Sequence, residues 1–345
     1  MWSCFRLPKD REKEEEEFRF FRRKAKEKHF LENGGLLLEE MIKSFDGRPN
    51  PIRSFSQKEL QRATNNYHQD GVLHQQHWSY KLYKGTYEDR PIWVKKFPAN
   101  APWGYIMELY INEVAVASQM SNHKNVLKLL GCCLETQVPT LVYEFAANGC
   151  LSNHIFAANG CLSDHIFEEE LSPSKKNSQL LSWESKLRIA TEIADAVAYL
   201  HKGTSKSIVH RLIISRNILL DQHYVAKLFN LGYSISIPLG ETHVDANRMG
   251  NFATTAPESA YTGRYTEKSD VYSFGVILYE ILTGKRILNA EDIRLYLKDN
   301  IVKGNTKQLM ACAELVVRCV DMNMEERPSM MEAAKELRRI ARFQQ

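Results

Sequence analysis

His210-Arg211-Leu212-Ile213-Ile214-Ser215-Arg216-Asn217-Ile218-Leu219-Leu220-Asp221 is the stretch on which the reading of this 345-residue chain turns. It lies in the part of the sequence that reads as helix. Trp183 to His201 comes before it, and Lys268 to Leu282, Gln308 to Val320 and Ser329 to Ala341 follow. Further upstream the pattern changes. Val72 to Phe97 is strand-like, rich in aromatic and branched residues around a turn at Glu88-Asp89-Arg90-Pro91. Val126 to Leu134 and Thr140 to Phe145 read as two more strands, and Met107 to Gln119 as a helix between them and the first group. A strand-rich first part followed by a helix-rich second part predicts an α+β architecture of two unlike lobes.

The outer regions are less regular. Residues 9–28 form a charge block, acidic from Glu12 to Glu17 and basic through Arg19, Arg22, Arg23, Lys24, Lys26 and Lys28, with Phe18, Phe21 and Phe30 set among the charges. It reads either as a solvated, partly helical extension or as a helix that docks a partner, since acid-before-base order suits i,i+4 pairing. Gly47 to Pro51 is linker chemistry. Ser56 stands three residues before Glu59, which is the spacing of a capping box. Phe145 to Ile155 (FAANGCLSNHI) is repeated at once as Phe156 to Ile166 (FAANGCLSDHI), with Asn153 against Asp164 the one difference. A single tandem copy cannot build a solenoid, and it predicts an insertion tolerated in a surface loop.

Composition narrows the class. With 43% hydrophobic and 26% charged residues the chain is neither disordered nor fibrous. A net charge of +4 does not by itself imply a nucleic-acid partner or a membrane surface. Seven cysteines, Cys132 and Cys133 adjacent and none in a CxxC pair, predict no disulfide framework, no metal site and a reducing compartment. The opening MWSCFRLPKDREKEEEE has no apolar core and reads as no secretory leader. Val271 to Leu282 is too short to span a bilayer and carries Glu280. Met1 is not followed by glycine, so no myristoylation is expected, while Cys4 is a candidate for acylation. The expectation is a soluble cytoplasmic chain without a transmembrane segment, with peripheral attachment at the plasma membrane left open.

Several stretches then fall into one order: FSQKELQRATNNY, LYKG, IWVKKF, NEVAVASQM, NVLKLLGCCLE, LVYEF, HRLIISRNILLD, APE, TEKSDVYSFGVILYEILTGK and EERPSM. From Phe55 to Ile340 the chain resembles the protein-kinase fold of plant receptor-like cytoplasmic and wall-associated kinases. The resemblance implies a bilobal fold with a β-rich N-lobe at about 55–143, a hinge and duplicated loop over 144–180, and a helical C-lobe at 181–345. Residues 1–54 are left as a charged extension and linker.

The resemblance also assigns roles. Lys95 matches the strand lysine that grips phosphate, Glu113 its helix partner, and Tyr143, Glu144 and Phe145 the gate and hinge. Asn217 matches the catalytic-loop asparagine. His210, Arg211, Gly232, Glu258, Asp270 and Arg327 match positions that hold the fold, with Glu258 expected to pair with Arg327 and Asp270 to hold the backbone of the catalytic loop. Four features depart from the pattern. The phosphate-binding loop should be glycine-rich so that backbone N–H groups approach closely, but the stretch after Leu73 is HQQHWSYK, with His74, His77 and Trp78. Leu212 stands where the catalytic aspartate belongs, Ile214 where its lysine neighbour belongs, and Asn230 where the metal-binding aspartate belongs. Leucine has no lone pair to orient a hydroxyl, isoleucine no charge to offset a phosphoryl group, and a neutral amide is a poor Mg²⁺ ligand beside a carboxylate. Residues 285–311 also look short beside related kinases.

The segment NGGLLLEEMIKSFDGRPNPIRSFSQKELQRATNNY resembles one branch, the plant pseudokinases named after HopZ-ETI-deficient. That likeness implies an inactive adaptor or decoy in innate immunity. It would bridge a coiled-coil NLR immune receptor and receptor-like cytoplasmic kinases modified by bacterial effectors. No cofactor is required on this reading, ATP binding would be vestigial, and Mg²⁺ and nucleic acid are not expected. Thr242, Thr254 and Thr255 are candidate modification sites. The alternatives are a weakly active serine/threonine kinase and a nucleotide-binding switch without catalysis.

Overall fold

The structure, a computed structural model, describes residues 8–44, 52–73, 80–98, 103–156, 181–250, 253–287, 293, 297 and 307–343. The chain separates into two units. One comprises Met1–Ser118 and Leu129–Glu144, the other Gln119–Lys128 and Phe145–Gln345.

The first unit is built on a six-stranded sheet. In chain order its strands are β1 (Arg53–Ser54), β2 (Val72–Leu73), β3 (Lys81–Tyr87), β4 (Arg90–Lys96), β5 (Leu129–Cys133) and β6 (Thr140–Glu144), and in space they run β1-β5-β6-β4-β3-β2. β1 pairs parallel with β5 and the remaining neighbours are antiparallel. The turn between β3 and β4 is tighter than the four residues expected from sequence. Glu88 and Asp89 alone form it, both at positive φ, and Tyr87 faces Arg90 across the ladder. Two central residues with φ > 0 give a turn whose twist matches that of the strands, so pairing continues to the tip. β5 carries its glycine for a steric reason. A Cβ at Gly131 would lie 2.1 Å from the Arg53 carbonyl oxygen and 2.7 Å from the Phe55 ring, so β1 can pair there only with glycine.

Three helices complete the unit: α1 (Pro8–Ser44), α2 (Gln57–Ala63) and α3 (Trp103–Met120). The cap expected at Ser56 is reciprocal. The Glu59 N–H donates to Ser56 Oγ at 3.2 Å and the Ser56 N–H to Glu59 Oε2 at 2.7 Å, and these bonds hold the Glu59 carboxyl below its ordinary pKa. The charged extension is helical and its second half is anchored. Asn33, buried, donates to the carbonyls of Leu134 and Thr136, both at 2.9 Å. Glu135 accepts from Lys26 and from the N–H of Gln57, each at 3.0 Å. The extension is thus tied to the strand end and to α2, whereas Phe18, Phe20 and Phe21 stay exposed.

The second unit is mainly helical: α4 (Leu151–Ile155), α5 (Trp183–Lys202), α6 (Pro257–Thr262), α7 (Glu267–Thr283), α8 (Lys307–Cys319) and α9 (Met330–Ala341). Short two-stranded ladders pair β7 (Ile208–Val209) with β10 (Ile235–Ser236), β8 (Ile218–Leu220) with β9 (Ala226–Leu228), and β11 (Val244–Asp245) with β12 (Arg264–Tyr265). α7 is buried continuously from Ser269 to Ile281, with the polar groups of Asp270 and Glu280 enclosed among its apolar residues. Cys132, Cys133, Cys150, Cys312 and Cys319 are free and buried.

The first copy of the duplicated segment belongs to this unit. It supplies α4, and Asn148 Nδ2 donates to the Asp221 carbonyl at 2.7 Å. Residues 157–180, which include most of the second copy, lie outside the described residues, as do Cys4, residues 74–79 and most of 285–311. Deleting residues 156–166 joins Ile155 to Phe167 and so keeps a phenylalanine after α4. Shortening a loop changes closure entropy by only about 0.6 kcal/mol per doubling of length. The deletion variant is therefore expected to melt cooperatively within about 3 °C of the parent chain, as calorimetry would show. Gly131→Ala should cost at least about 1–3 kcal/mol through overpacking, measured by denaturant unfolding.

Candidate functional site

In the first unit three chemically different side chains meet in the interior. Lys95 comes from β4, Glu113 from α3 and Tyr143 from β6. Lys95 Nζ lies 2.5 Å from Glu113 Oε2, and the Tyr143 hydroxyl donates to Glu113 Oε1 at 2.6 Å. Lys95 and Glu113 are each 1% exposed. Burial lowers the pKa of Lys95, opposed by the Glu113 charge, and raises that of Tyr143 well above its ordinary value with the same carboxylate adding to the rise. A pair this deep holds because attraction and hydrogen bonds offset the loss of hydration, and removing one partner strands the other. Among the described residues, two aromatic rings cover the ammonium. Tyr80, itself 2% exposed, has its centroid 4.1 Å from Nζ, and Phe97 has its own at 5.2 Å. Glu144 ends β6, and the boundary between the units falls between it and Phe145.

In the second unit the Asp270 carboxylate is the organising group. It is fully buried at the start of α7. Oδ2 accepts the His210 N–H at 2.7 Å, Oδ1 accepts the Arg211 N–H at 3.0 Å, and His201 Nε2 lies 2.9 Å from Oδ2. Arg211 has φ 70, a left-handed conformation that a non-glycine residue holds only when its surroundings impose it. Its side chain spans to the carbonyls of Tyr233 and Asn247 and stacks on Tyr265, 4.3 Å to the ring centroid. His210 accepts from the Leu212 N–H at Nδ1 and faces the Phe229 carbonyl through Nε2.

The positions of expected chemistry lie beside this loop. Leu212 is buried, and its carbonyl accepts from Asn217 Nδ2 at 3.0 Å. Ile214 is half-buried and precedes the 3₁₀ turn that carries Asn217. Asn230, left-handed at φ 65 and ψ 56, directs Nδ2 to Asn217 Oδ1 at 3.4 Å, and Gly232 follows in a buried turn. Two neutral amides bonded to one another are a poor donor set for Mg²⁺, which is held through carboxylate and phosphate oxygens. The residues present do not fit the ion.

Glu258 and Arg327 form a bidentate pair. Nη1 lies 2.7 Å from Oε1 and Nη2 2.9 Å from Oε2, with further bonds from Arg327 to the carbonyls of Asp321 and Lys268. Among the candidate threonines, Thr242 is exposed and Thr254 half-buried. Thr255 corrects the sequence reading. It is buried and its hydroxyl donates to the Met249 carbonyl at 3.0 Å, so it supports the segment and is not an accessible acceptor.

Three participants had no assigned role in the sequence reading: Tyr80, His201 and Glu280. Glu280 lies buried in α7, and burial pushes its carboxyl up to about 7, with Ser215 of the loop acting in the opposite direction.

Residues 71–337 match the family described as protein tyrosine and serine/threonine kinase. The chain belongs to the protein-kinase family, with that family's bilobal α+β fold. It is 37% identical to wall-associated receptor kinase-like 1 of Arabidopsis thaliana over 91% of its length, but spans only 43% of that relative. Two Arabidopsis thaliana relatives are matched nearly end to end. The serine/threonine-protein kinase ZRK1 is 36% identical, covering 92% of this chain and 94% of the relative. The non-functional pseudokinase ZED1 is 35% identical, covering 93% and 98%.

Two predictions follow from the buried carboxylates. Asp270→Ala leaves two backbone donors and His201 without an acceptor, and should destabilise the chain by at least about 2 kcal/mol in denaturant titration. For Glu280, a folded-state pKa of about 7 exceeds the unfolded value of about 4.3. Its contribution to stability is full below the unfolded value and is lost as pH rises through about 7. Glu280→Gln should therefore flatten the dependence of melting temperature on pH between about 4 and 7, read from melts across a buffer series.

Proposed function

We propose that the protein is a catalytically inactive, kinase-fold adaptor in plant innate immunity. It would bind a coiled-coil NLR immune receptor and present receptor-like cytoplasmic kinases modified by bacterial effectors. The observation that carries this reading is a division among the polar groups. Glu258–Arg327, Asp270 with His210 and Arg211, and Lys95–Glu113 all remain in bonded networks. The positions matching the catalytic base, its cationic neighbour and the metal carboxylate hold Leu212, Ile214 and Asn230. Phosphoryl transfer depends on positioning and charge stabilisation, so those three replacements remove its means together. The match to ZED1, named a non-functional pseudokinase, over almost its whole length supports the same reading.

The adaptor would act in the cytoplasm, at the inner face of the plasma membrane where receptor kinases signal. Among the described residues no helix is long and apolar enough to cross a membrane. Thr242, exposed beside His243, is the candidate for effector modification that its surroundings favour.

A second reading, a weakly active or ATP-binding serine/threonine kinase, draws on the retained Lys95–Glu113 pair and on the name of ZRK1. The burial of Lys95 alters how the two readings are separated. Lys95→Ala strands Glu113 in the interior and would cost about 3–5 kcal/mol, so loss of a signal in that variant would not report on catalysis alone. Affinity purification of the intact chain from plant tissue is the cleaner experiment. An NLR receptor and a receptor-like cytoplasmic kinase are expected to co-purify during immune activation. Recovery of neither under those conditions would overturn the adaptor role.

A further inference from the structure

The surroundings of Lys95 carry a consequence for ligand binding. A lysine that grips phosphate must turn N–H donors towards space that an anion can enter. Here the ammonium has Glu113 at 2.5 Å, the face of Tyr80 at 4.1 Å and Phe97 at 5.2 Å, and the side chain is 1% exposed. A phosphate oxygen hydrogen-bonded to Nζ would sit about 2.8 Å away. On the side of Nζ that the Tyr80 ring covers, the phosphate group behind it would overlap that ring. An aromatic face also attracts the cation electrostatically, most strongly when water is excluded. The ring therefore both fills the place of an anion and partly satisfies the charge that would bind one.

Tyr80 is not a loose surface group. It is 2% exposed and immediately precedes β3, whose first residue, Lys81, is paired with Lys96, the neighbour of Lys95. The backbone register thus sets Tyr80 over the lysine. Among the described residues its ring is the aromatic face nearest the ammonium.

We infer that Tyr80 is the residue that excludes nucleotide phosphate from Lys95, acting as a tethered aromatic occupant of the phosphate position. The inference rests on the pseudokinase reading of the site and names the side chain that keeps nucleotide out. Tyr80→Phe keeps the ring and should keep the exclusion. Tyr80→Gly and Tyr80→Leu remove it.

Two measurements on the full chain test this. In calorimetric titration, ATP should bind Tyr80→Gly or Tyr80→Leu at least tenfold more tightly than the parent chain or Tyr80→Phe. The gain should be smaller for AMP, which lacks the outer phosphates. In pulse acetylation read by peptide mass spectrometry, Lys95 of the parent chain should be protected whether or not ATP is present. In Tyr80→Leu it should react at least tenfold faster and be shielded by ATP. Equal ATP binding by all four chains overturns the inference, as does a failure of all four to bind. Fast, ATP-shielded acetylation of Lys95 in the parent chain overturns it without recourse to a variant. The pseudokinase reading fails by a different result, transfer of phosphate by the parent chain, so the two failures are distinguishable.

Discussion

The carboxylate of Asp270 is the group on which the arrangement of the second unit depends. It lies fully buried at the start of α7, the helix most completely enclosed by its neighbours, and it accepts the backbone N–H groups of both His210 and Arg211. Those bonds hold Arg211 in a left-handed conformation that an arginine would otherwise avoid. From that conformation the guanidinium reaches Tyr233, Asn247 and Tyr265, which ties the loop to the segment running towards α6. Without the buried carboxylate, the N–H groups of His210 and Arg211 lose their shared acceptor.

The neighbouring positions are uncharged. Leu212 and Ile214 carry apolar side chains, and the Asn230 amide is bonded to that of Asn217. The charged groups around them, Asp270 and the Glu258–Arg327 pair, are held in hydrogen-bonded networks. The first unit repeats the pattern. Lys95 and Glu113 join a strand to a helix, and both are spent on one another and on the surrounding aromatic groups. A folded scaffold keeps such interactions because breaking a buried pair destabilises the chain far more than forming it stabilises.

Much of this was legible in the sequence where the signal is local. The capping spacing of Ser56 and Glu59, the strand pattern of β3 and β4, and the apolar continuity of α7 each depend on neighbours within a few residues, and each element lies close to where the pattern puts it. The order of short motifs located Glu258, Asp270 and Arg327, and their long-range bonds are present in the structure. Other features had no local signature. Asn33 reaches carbonyls about a hundred residues away and Lys26, within the charge block, reaches Glu135, so an extension that reads as either a solvated or a docking helix is in part anchored. Tyr80 covers Lys95 through strand register, which a list of missing glycines does not reveal. The turn at Glu88 and Asp89 is two residues long because both take positive φ, a preference weakly marked in those residue types. Thr255 looks like any loop threonine until its hydroxyl is seen bonded to Met249.

The central claim is that this kinase fold holds its shape without performing its family's reaction. The most direct measurement is transfer of labelled phosphate from ATP, with Mg²⁺ or Mn²⁺, by the purified 345-residue chain to itself and to a generic protein substrate. The account predicts incorporation no greater than in the absence of the protein with either ion. Incorporation that scales with protein concentration and disappears in a folded Asn217→Ala, Asn230→Ala chain would contradict it.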